Sequence, residues 1–264
     1  MGYSPNIFLL MPKVIWDADA LAYIAAAGIT NTTEKLAANY LFTQLKVQGI
    51  YSKLLAFYPI LGGTSVTQKY NGKNPLDTNG AFRLTYVGGV THSSTGIIFN
   101  GSTGYARTYF TPSTNWSGNN DMSIGGNFNY VAAAGDFYFG SNTSASGYTL
   151  IQVAGGASLN IDTNCLSGNV DSLSVTSLSG LKVISRGNST DILILNESAV
   201  TNPAQPSTSQ SIREMYIGCR NNNGTAAGFL QGTCKSFYIG DYLDSTELAA
   251  LDTIDTNFQT MVGR

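Results

Sequence analysis

Charged side chains are few. Of 264 residues, 14 are Lys or Arg and 16 are Asp or Glu, giving a net charge of −2 and an 11% charged fraction, under half the usual share of about 25%. A chain so poor in basic residues has no concentrated positive face, which excludes a nucleic-acid binder working by phosphate neutralisation. No apolar run approaches the ~18 residues a membrane-spanning helix needs. Histidine occurs once, at His92, and the cysteines number three, Cys165, Cys219 and Cys234. With no C-x-x-C pair and one imidazole, a four-ligand zinc site is excluded. Cys219 and Cys234 flank the turn-like stretch Asn221 to Gly228. A hairpin there sets Cys219 near Leu230, so buried free thiols are expected rather than a cross-strand disulfide. The start also lacks a basic region ahead of its short apolar run Ile7 to Met11, so a leaderless protein is expected. Asn6 stands where a myristoylation motif needs Ser or Thr. The seven Asn-x-Ser/Thr sequons (Asn31, Asn100, Asn115, Asn142, Asn188, Asn196, Asn223) follow from a composition rich in Asn, Ser and Thr.

What remains is material for a core. The chain is 43% hydrophobic, with 15 Tyr and 12 Phe, which argues against charge-driven disorder. At this length about 73% of the unfolded surface can be buried, enough for one large core or two modest ones.

Three regions follow one another. Residues 1–16 carry Pro5 and Pro12, which favour an extended arm over a helix. Ile7, Phe8, Leu9 and Leu10 make that arm too apolar to stand free in solvent, and they are the expected anchoring residues. Residues 17–61 read as a helical lead-in. Asp17 or Asp19 caps a helix that Gly28 ends, and Asn31 with Glu34 forms a capping box opening a second helix that Gly49 stops. Leu54 to Ile60 is strand-like but holds Pro59, so it is an edge strand or an entry into the next region.

Residues 62–264 are the third region. Ala81–Val87, Tyr105–Phe110, Ser123–Val131, Asp136–Phe139, Tyr148–Val153, Ala157–Ile161, Leu181–Ser185, Asp191–Leu195, Glu214–Gly218 and Gly228–Ile239 read as strands. Turn clusters separate them every 8–12 residues, which predicts an antiparallel two-sheet β-sandwich. A final helix opens on the capping box Asp244-Ser245-Thr246-Glu247, and Leu248, Leu251, Ile254, Phe258 and Met261 form its apolar stripe.

Two stretches carry a resemblance. Phe237-Tyr238-Ile239-Gly240-Asp241-Tyr242-Leu243-Asp244-Ser245-Thr246-Glu247-Leu248 resembles the last strand and terminal helix of laminin-G-like, concanavalin A-like jelly rolls. Asp17-Ala18-Asp19-Ala20, Ala26-Ala27-Gly28-Ile29-Thr30, Tyr58 to Thr64 and Thr91-His92-Ser93 are similar to virion proteins of tailed bacteriophages, many infecting Bacteroidetes. The resemblance implies a mainly β, concanavalin A-like sandwich of twelve to fourteen strands, carried on a phage particle as a fibre, spike or decoration. It further implies other virion proteins and a host-surface glycan as partners, assembly in the host cytoplasm, and a homo-oligomer, by analogy with phage fibres a trimer.

Hydrolases of this fold set acids on one strand in an E-x-D-x-x-E pattern, one as nucleophile and one as acid/base. Here the four Glu residues are Glu34, Glu197, Glu214 and Glu247. Glu34 and Glu247 read as helix caps, and neither Glu197 nor Glu214 has an Asp two residues away. A non-enzymatic protein is expected, with no catalytic residue and no resident metal or cofactor. Calcium stays open at Asp77-Thr78-Asn79, Asn119-Asn120-Asp121 and Asp162-Thr163-Asn164, each also an ordinary Asx-turn sequence. His92 reads as a hydrogen-bonding group at a turn. For sugar binding, Trp116 among turn formers is the candidate platform, with Asn119 and Asp121 beside it; the alternative is that Trp116 folds back onto the core. A secreted bacterial glycan-binding module or adhesin, and a glycoside hydrolase of the same fold, are the competing function classes.

Overall fold

In a computed structural model of the chain, residues 14–131, 135–143, 146–155, 158–165, 171–196 and 198–264 are described. Three helices come first, α1 (Ala18–Ala27), α2 (Thr32–Val47) and α3 (Ile50–Lys53). Strand β1 (Leu54–Tyr58) and a 3-10 turn at Asn79–Ala81 lead to β2 (Thr85–Val87), β3 (Val90–Ser93), β4 (Gly96–Asn100) and β5 (Tyr105–Arg107). The single-turn helix α4 (Pro112–Asn115) precedes β6 (Met122–Tyr130), β7 (Phe137–Thr143), β8 (Ser146–Val153), β9 (Ser158–Cys165) and β10 (Asp171–Ser174). Then come β11 (Gly180–Arg186), β12 (Leu193–Asn196), β13 (Ala199–Thr201), β14 (Tyr216–Ile217), β15 (Arg220–Asn222), β16 (Thr225–Ala227), β17 (Gln231–Gly240) and helix α5 (Ser245–Met261).

The strands form the expected two-sheet sandwich. The first sheet runs β13-β12-β11-β6-β17-β4-β3, with β1 beside the C-terminal half of β17. The second runs β10-β9-β8-β7-β14-β5-β2, with the β15–β16 hairpin joined to β7. Pairing is antiparallel except between β15 and β7. Among the described residues there are seventeen strands, more than the resemblance implies, because short pairs such as β15–β16 carry little alternation to read.

Side chains from both sheets, among them Ile97, Phe99, Phe128, Phe139, Ile151, Ile161, Ile184 and Phe237, fill the space between them. A second core lies on the other face of the first sheet. There Tyr23, Leu41, Phe42 and Leu45 of α1 and α2 meet Leu248, Leu251, Ile254 and Phe258 of α5 over Phe57, Leu181, Val183, Leu195 and Tyr238 of the sheet. The expected boundary between residues 61 and 62 therefore cuts through a shared core. β1, on the lead-in side, is itself a sheet strand whose Phe57 and Tyr58 pair with Tyr238 and Phe237.

The local signals explain the helices. Asp17 caps α1 by accepting from the amides of Asp19 and Ala20, and Gly28 ends it in the left-handed conformation at φ 68°. Asp244 and Glu247 form the reciprocal capping box of α5. At α2 only half of the expected box forms. Asn31 accepts from the Glu34 amide, but the Glu34 carboxylate turns away and accepts from the Gly62 amide at 3.1 Å. Two strands are also shorter than their alternation suggests. Phe82 and Tyr109 adopt φ of 57° and 58°, so the chain turns at each and the strands reduce to β2 and β5. The anchoring residues Ile7, Phe8, Leu9 and Leu10 lie outside the described residues; next to them, Ile15 is 86% and Trp16 37% exposed.

Candidate functional site

Trp116 is not a surface platform. It is 4% exposed, packs edge-on against Phe110 with ring centroids 5.0 Å apart, and donates from Nε1 to the Gly240 carbonyl at 2.8 Å. The turn formers around it fold the segment inward. Asn119 donates to the Thr208 carbonyl and offers its own carbonyl to Asn164. Asp121 accepts from the Tyr242 amide at 2.8 Å and from the Ser117 hydroxyl. These three residues are brought together, but as a clasp tying the α4–β6 loop to the end of β17 and to the segment around Thr208. The turn formers stand where the sequence puts them, and of the two orientations left open the indole takes the one folded back onto the core.

The described glutamates are likewise engaged. Glu214 holds Arg107 through Oε2, at 2.7 Å from Nη2, and accepts from the Tyr109 amide through Oε1. Glu247 bonds Lys53 at 2.6 Å beside its capping role. Glu197 lies outside the described residues.

Of the three stretches left open for calcium, Asp77 is clamped between Lys69 and Arg83, which hold its carboxyl below the usual range. Asp162 accepts from the Cys165 thiol, and Asn164 from the Thr149 hydroxyl. Among the described residues no group of three or more His, Cys, Asp and Glu is placed to hold a metal ion, and no helix is long and apolar enough to cross a membrane.

His92 sits on β3, with Nδ1 2.7 Å from Gln68 Oε1 and its ring edge-on to Tyr86 at 4.4 Å. Gln68 donates from Nε2 to the Ser93 carbonyl. Its Oε1 is therefore the acceptor, and the imidazole proton is on Nδ1. Burial lowers the His92 pKa from the ordinary imidazole value.

The surface with capacity to bind is the outer face of the second sheet. Register sets Ser172 of β10, Asn160 of β9, Gln152 of β8 and Phe137 of β7 opposite one another in one cross-strand row. The neighbouring row, Leu173–Leu159–Val153, points into the core, so strand pleating directs the first row outward. Its members steady one another. Asn160 donates to Gln152 Oε1 at 3.4 Å, Gln152 donates to the Gly135 carbonyl, and the hydroxyls of Ser158 and Ser172 lie 3.1 Å apart. At the end of the row the Arg220 guanidinium stacks 4.7 Å from the Phe137 ring centroid. Past Ser174 the face continues into a groove of about 330 Å³ between the two sheet edges, lined by Thr176, Asn196, Ala199 and Thr201. The Asn196 Oδ1 is buried without a hydrogen-bond partner. Sequence reasoning missed this row, although alternation in Tyr148–Val153 and Ala157–Ile161 already put Gln152 and Asn160 on the solvent side.

No family model matches the chain. No curated protein matches it either. Solved structures with a similar course of chain include domain 4 of AbnA, a GH43 extracellular arabinanase from Geobacillus stearothermophilus, in complex with arabinotriose. It is 12% identical, with 76% of this chain and 98% of that one covered and a TM-score of 0.47. The CBM40 of the Ruminococcus gnavus IT-sialidase is 13% identical, with 51% and 83% covered and a TM-score of 0.40. The NanB sialidase from Streptococcus pneumoniae is 12% identical with a TM-score of 0.40, and the match takes in 51% of this chain but only 24% of the sialidase. The two-sheet sandwich rests on this chain's own strand pairing, and the ligands of those proteins remain statements about them.

Proposed function

We propose that the chain is a non-enzymatic, lectin-like binding module that takes a glycan on the outer face of its second sheet. The observation that carries this reading is the row Ser172, Asn160 and Gln152. Sugar hydroxyls both donate and accept, and primary amides and hydroxyls do the same without a charge to desolvate. The helices cover the first sheet, whereas this row is half-buried or exposed on the second and held in place by its own hydrogen bonds. That preorganisation lowers the ordering cost of binding. The setting proposed is a tailed-phage particle, with the chain as fibre, spike or decoration and residues 1–16 as the arm that docks on a neighbouring virion protein or a sister subunit. That part is supported by the sequence resemblance around Asp17–Ala20 and Ala26–Thr30.

A glycan array probed with the intact protein tests the binding. Retention of at least one glycan class is expected, with a loss of tenfold or more in the Gln152→Ala/Asn160→Ala double variant at unchanged melting temperature. No retention, or retention indifferent to the double variant, overturns the assignment. Release of reducing ends from laminarin, agar or alginate-type polymers, abolished by Glu214→Gln, would establish a hydrolase instead. Mass spectrometry of purified virions, with the chain lacking residues 1–16 failing to incorporate, tests the setting. Finding the protein secreted by a bacterium and absent from particles would favour the adhesin reading.

A further inference from the structure

Strand β17 carries a bulge where it pairs with β6. Cys234 pairs with Phe128 and Ser236 with Asn127, leaving Lys235 unpaired between them. An inserted residue of this kind bends a strand and re-aims its side chains. Cys234 and Phe237 both face the sandwich core, while Ser236 reaches the other way to Asp255 of α5. Lys235 is left half-buried at the margin of the helical layer. There it lines a cavity of about 220 Å³ with Thr233, Thr95, Asn129 and Arg264.

Both charged side chains lining this cavity are cations. The Arg264 guanidinium donates from Nη1 to the Lys235 carbonyl at 3.1 Å, which fixes the two residues against each other. Its Nε and Nη2 are buried without a hydrogen-bond partner. The two carboxylates whose charge reaches Arg264 are already engaged, Asp255 by Asn127, Ser236, Tyr238 and Gln259, and Glu34 by the Gly62 amide. Burial, with Arg264 as the neighbouring charge, lowers the Lys235 pKa from the ordinary lysine value. Two cations held together with unpaired donors are an arrangement that a counter-charge relieves. Asn129 Oδ1 is occupied by the Ser179 hydroxyl, so its amide protons are the part left to donate.

The geometry points to an anion site: the cavity between the β17 bulge and the end of α5 binds one oxyanion group, a carboxylate or a sulfate, between Lys235 and Arg264. The ligand group is small and singly anchored. Thr233 and Asn129 supply neutral hydrogen bonds, and the two cations supply the charge. The site lies on the first sheet, away from the amide row, and does not depend on the glycan reading. A free inorganic oxyanion and the acid group of a charged sugar share the required chemistry.

Titration of the ¹⁵N-labelled full chain with sodium sulfate and, separately, sodium glucuronate tests the site, with sodium chloride at matched ionic strength as reference. Saturable amide shifts are expected at Thr233, Lys235 and Arg264 with at least one of the two anions. Saturation by sulfate alone assigns a free tetrahedral oxyanion, and saturation by glucuronate alone assigns an acidic sugar. Lys235→Gln weakens the binding at least tenfold and Lys235→Arg retains it within threefold; Arg264→Gln, read the same way, keeps the test decisive if the first variant is poorly folded. Shifts no larger than those in chloride, or equal affinity in Lys235→Gln and Arg264→Gln, overturn the proposal.

Discussion

The indole nitrogen of Trp116 and the carbonyl oxygen of Gly240 meet at 2.8 Å across 124 residues of sequence, and this bond shuts the α4–β6 loop onto the end of β17. Trp116→Phe removes the donor together with part of the ring, leaves that buried carbonyl contact unmade and lowers stability by about 1–3 kcal/mol. Trp116→Ala also empties the space against Phe110 and lowers it by about 3–5 kcal/mol. Urea unfolding monitored by circular dichroism measures both. The folded Trp116→Phe variant is expected to keep any glycan binding intact, since the indole faces inward.

Asp255 offers a second test of a buried contact. It is fully buried, and both carboxylate oxygens receive donors, from Ser236 at 2.6 Å, Tyr238 at 2.8 Å and Asn127 at 2.7 Å. Asp255→Ala strands those donors between α5 and the first sheet and is expected to lower stability by about 3–5 kcal/mol. Asp252, three residues earlier, bonds the exposed Ser198 hydroxyl. Asp252→Ala is expected to stay within about 0.5 kcal/mol. Urea midpoints of the pair, compared at equal m-value, check the contrast.

The three thiols are buried and unpaired with one another. Burial pushes the Cys165 thiol up to about 12 and raises Cys219 and Cys234 as well. Because the thiolate is the reactive form, native protein at pH 8 is expected to react with a disulfide reagent at least about a hundredfold more slowly than unfolded protein. Absorbance of the released thiol, with and without urea, gives the ratio.

His92 sets a pH dependence. Its folded pKa is lowered by burial, while the unfolded imidazole takes a proton near about 6.5. Below that point the unfolded chain binds more protons than the folded one, so this group's share of stability is present above it and is lost as pH falls through the folded value. His92→Gln keeps a polar partner for Gln68 and removes the titration. Melting temperatures at pH 7, 6 and 5 are expected to fall less steeply in the variant than in the parent.

The elements legible in the sequence were those whose signals are local. Asp17, Gly28 and the Asp244–Glu247 box mark helix ends with groups only a few residues apart, and the α5 stripe states one buried face. Strands with one solvent face, such as β8 and β9, alternate visibly. The first sheet hides its strands better, because both of its faces are covered. β6 is buried from Met122 to Phe128 without alternation, and its Gly125 lies so close to β11 that a Cβ would stand 2.0 Å from the Lys182 carbonyl oxygen. For the Trp116 loop the sequence leaves platform and core both open, because the choice is set by Gly240, Tyr242 and Thr208, all far along the chain. The Lys235 bulge is invisible to periodicity, since it is where two correct alternations fall out of phase.

Strand β17 pairs with β1, β4 and β6, and it follows all of them and every other described strand in sequence. During synthesis the centre of the first sheet is therefore missing until residue 240 has left the ribosome. The lead-in helices, made well before it, have their apolar faces waiting for a platform that arrives only with Gln231–Gly240. Pairings this distant close slowly and leave unfinished edges exposed in the meantime. A nascent chain stalled before β17 is a natural target for chaperones or proteases, and acquisition of protease resistance on stalled ribosomes should come in one late step rather than region by region.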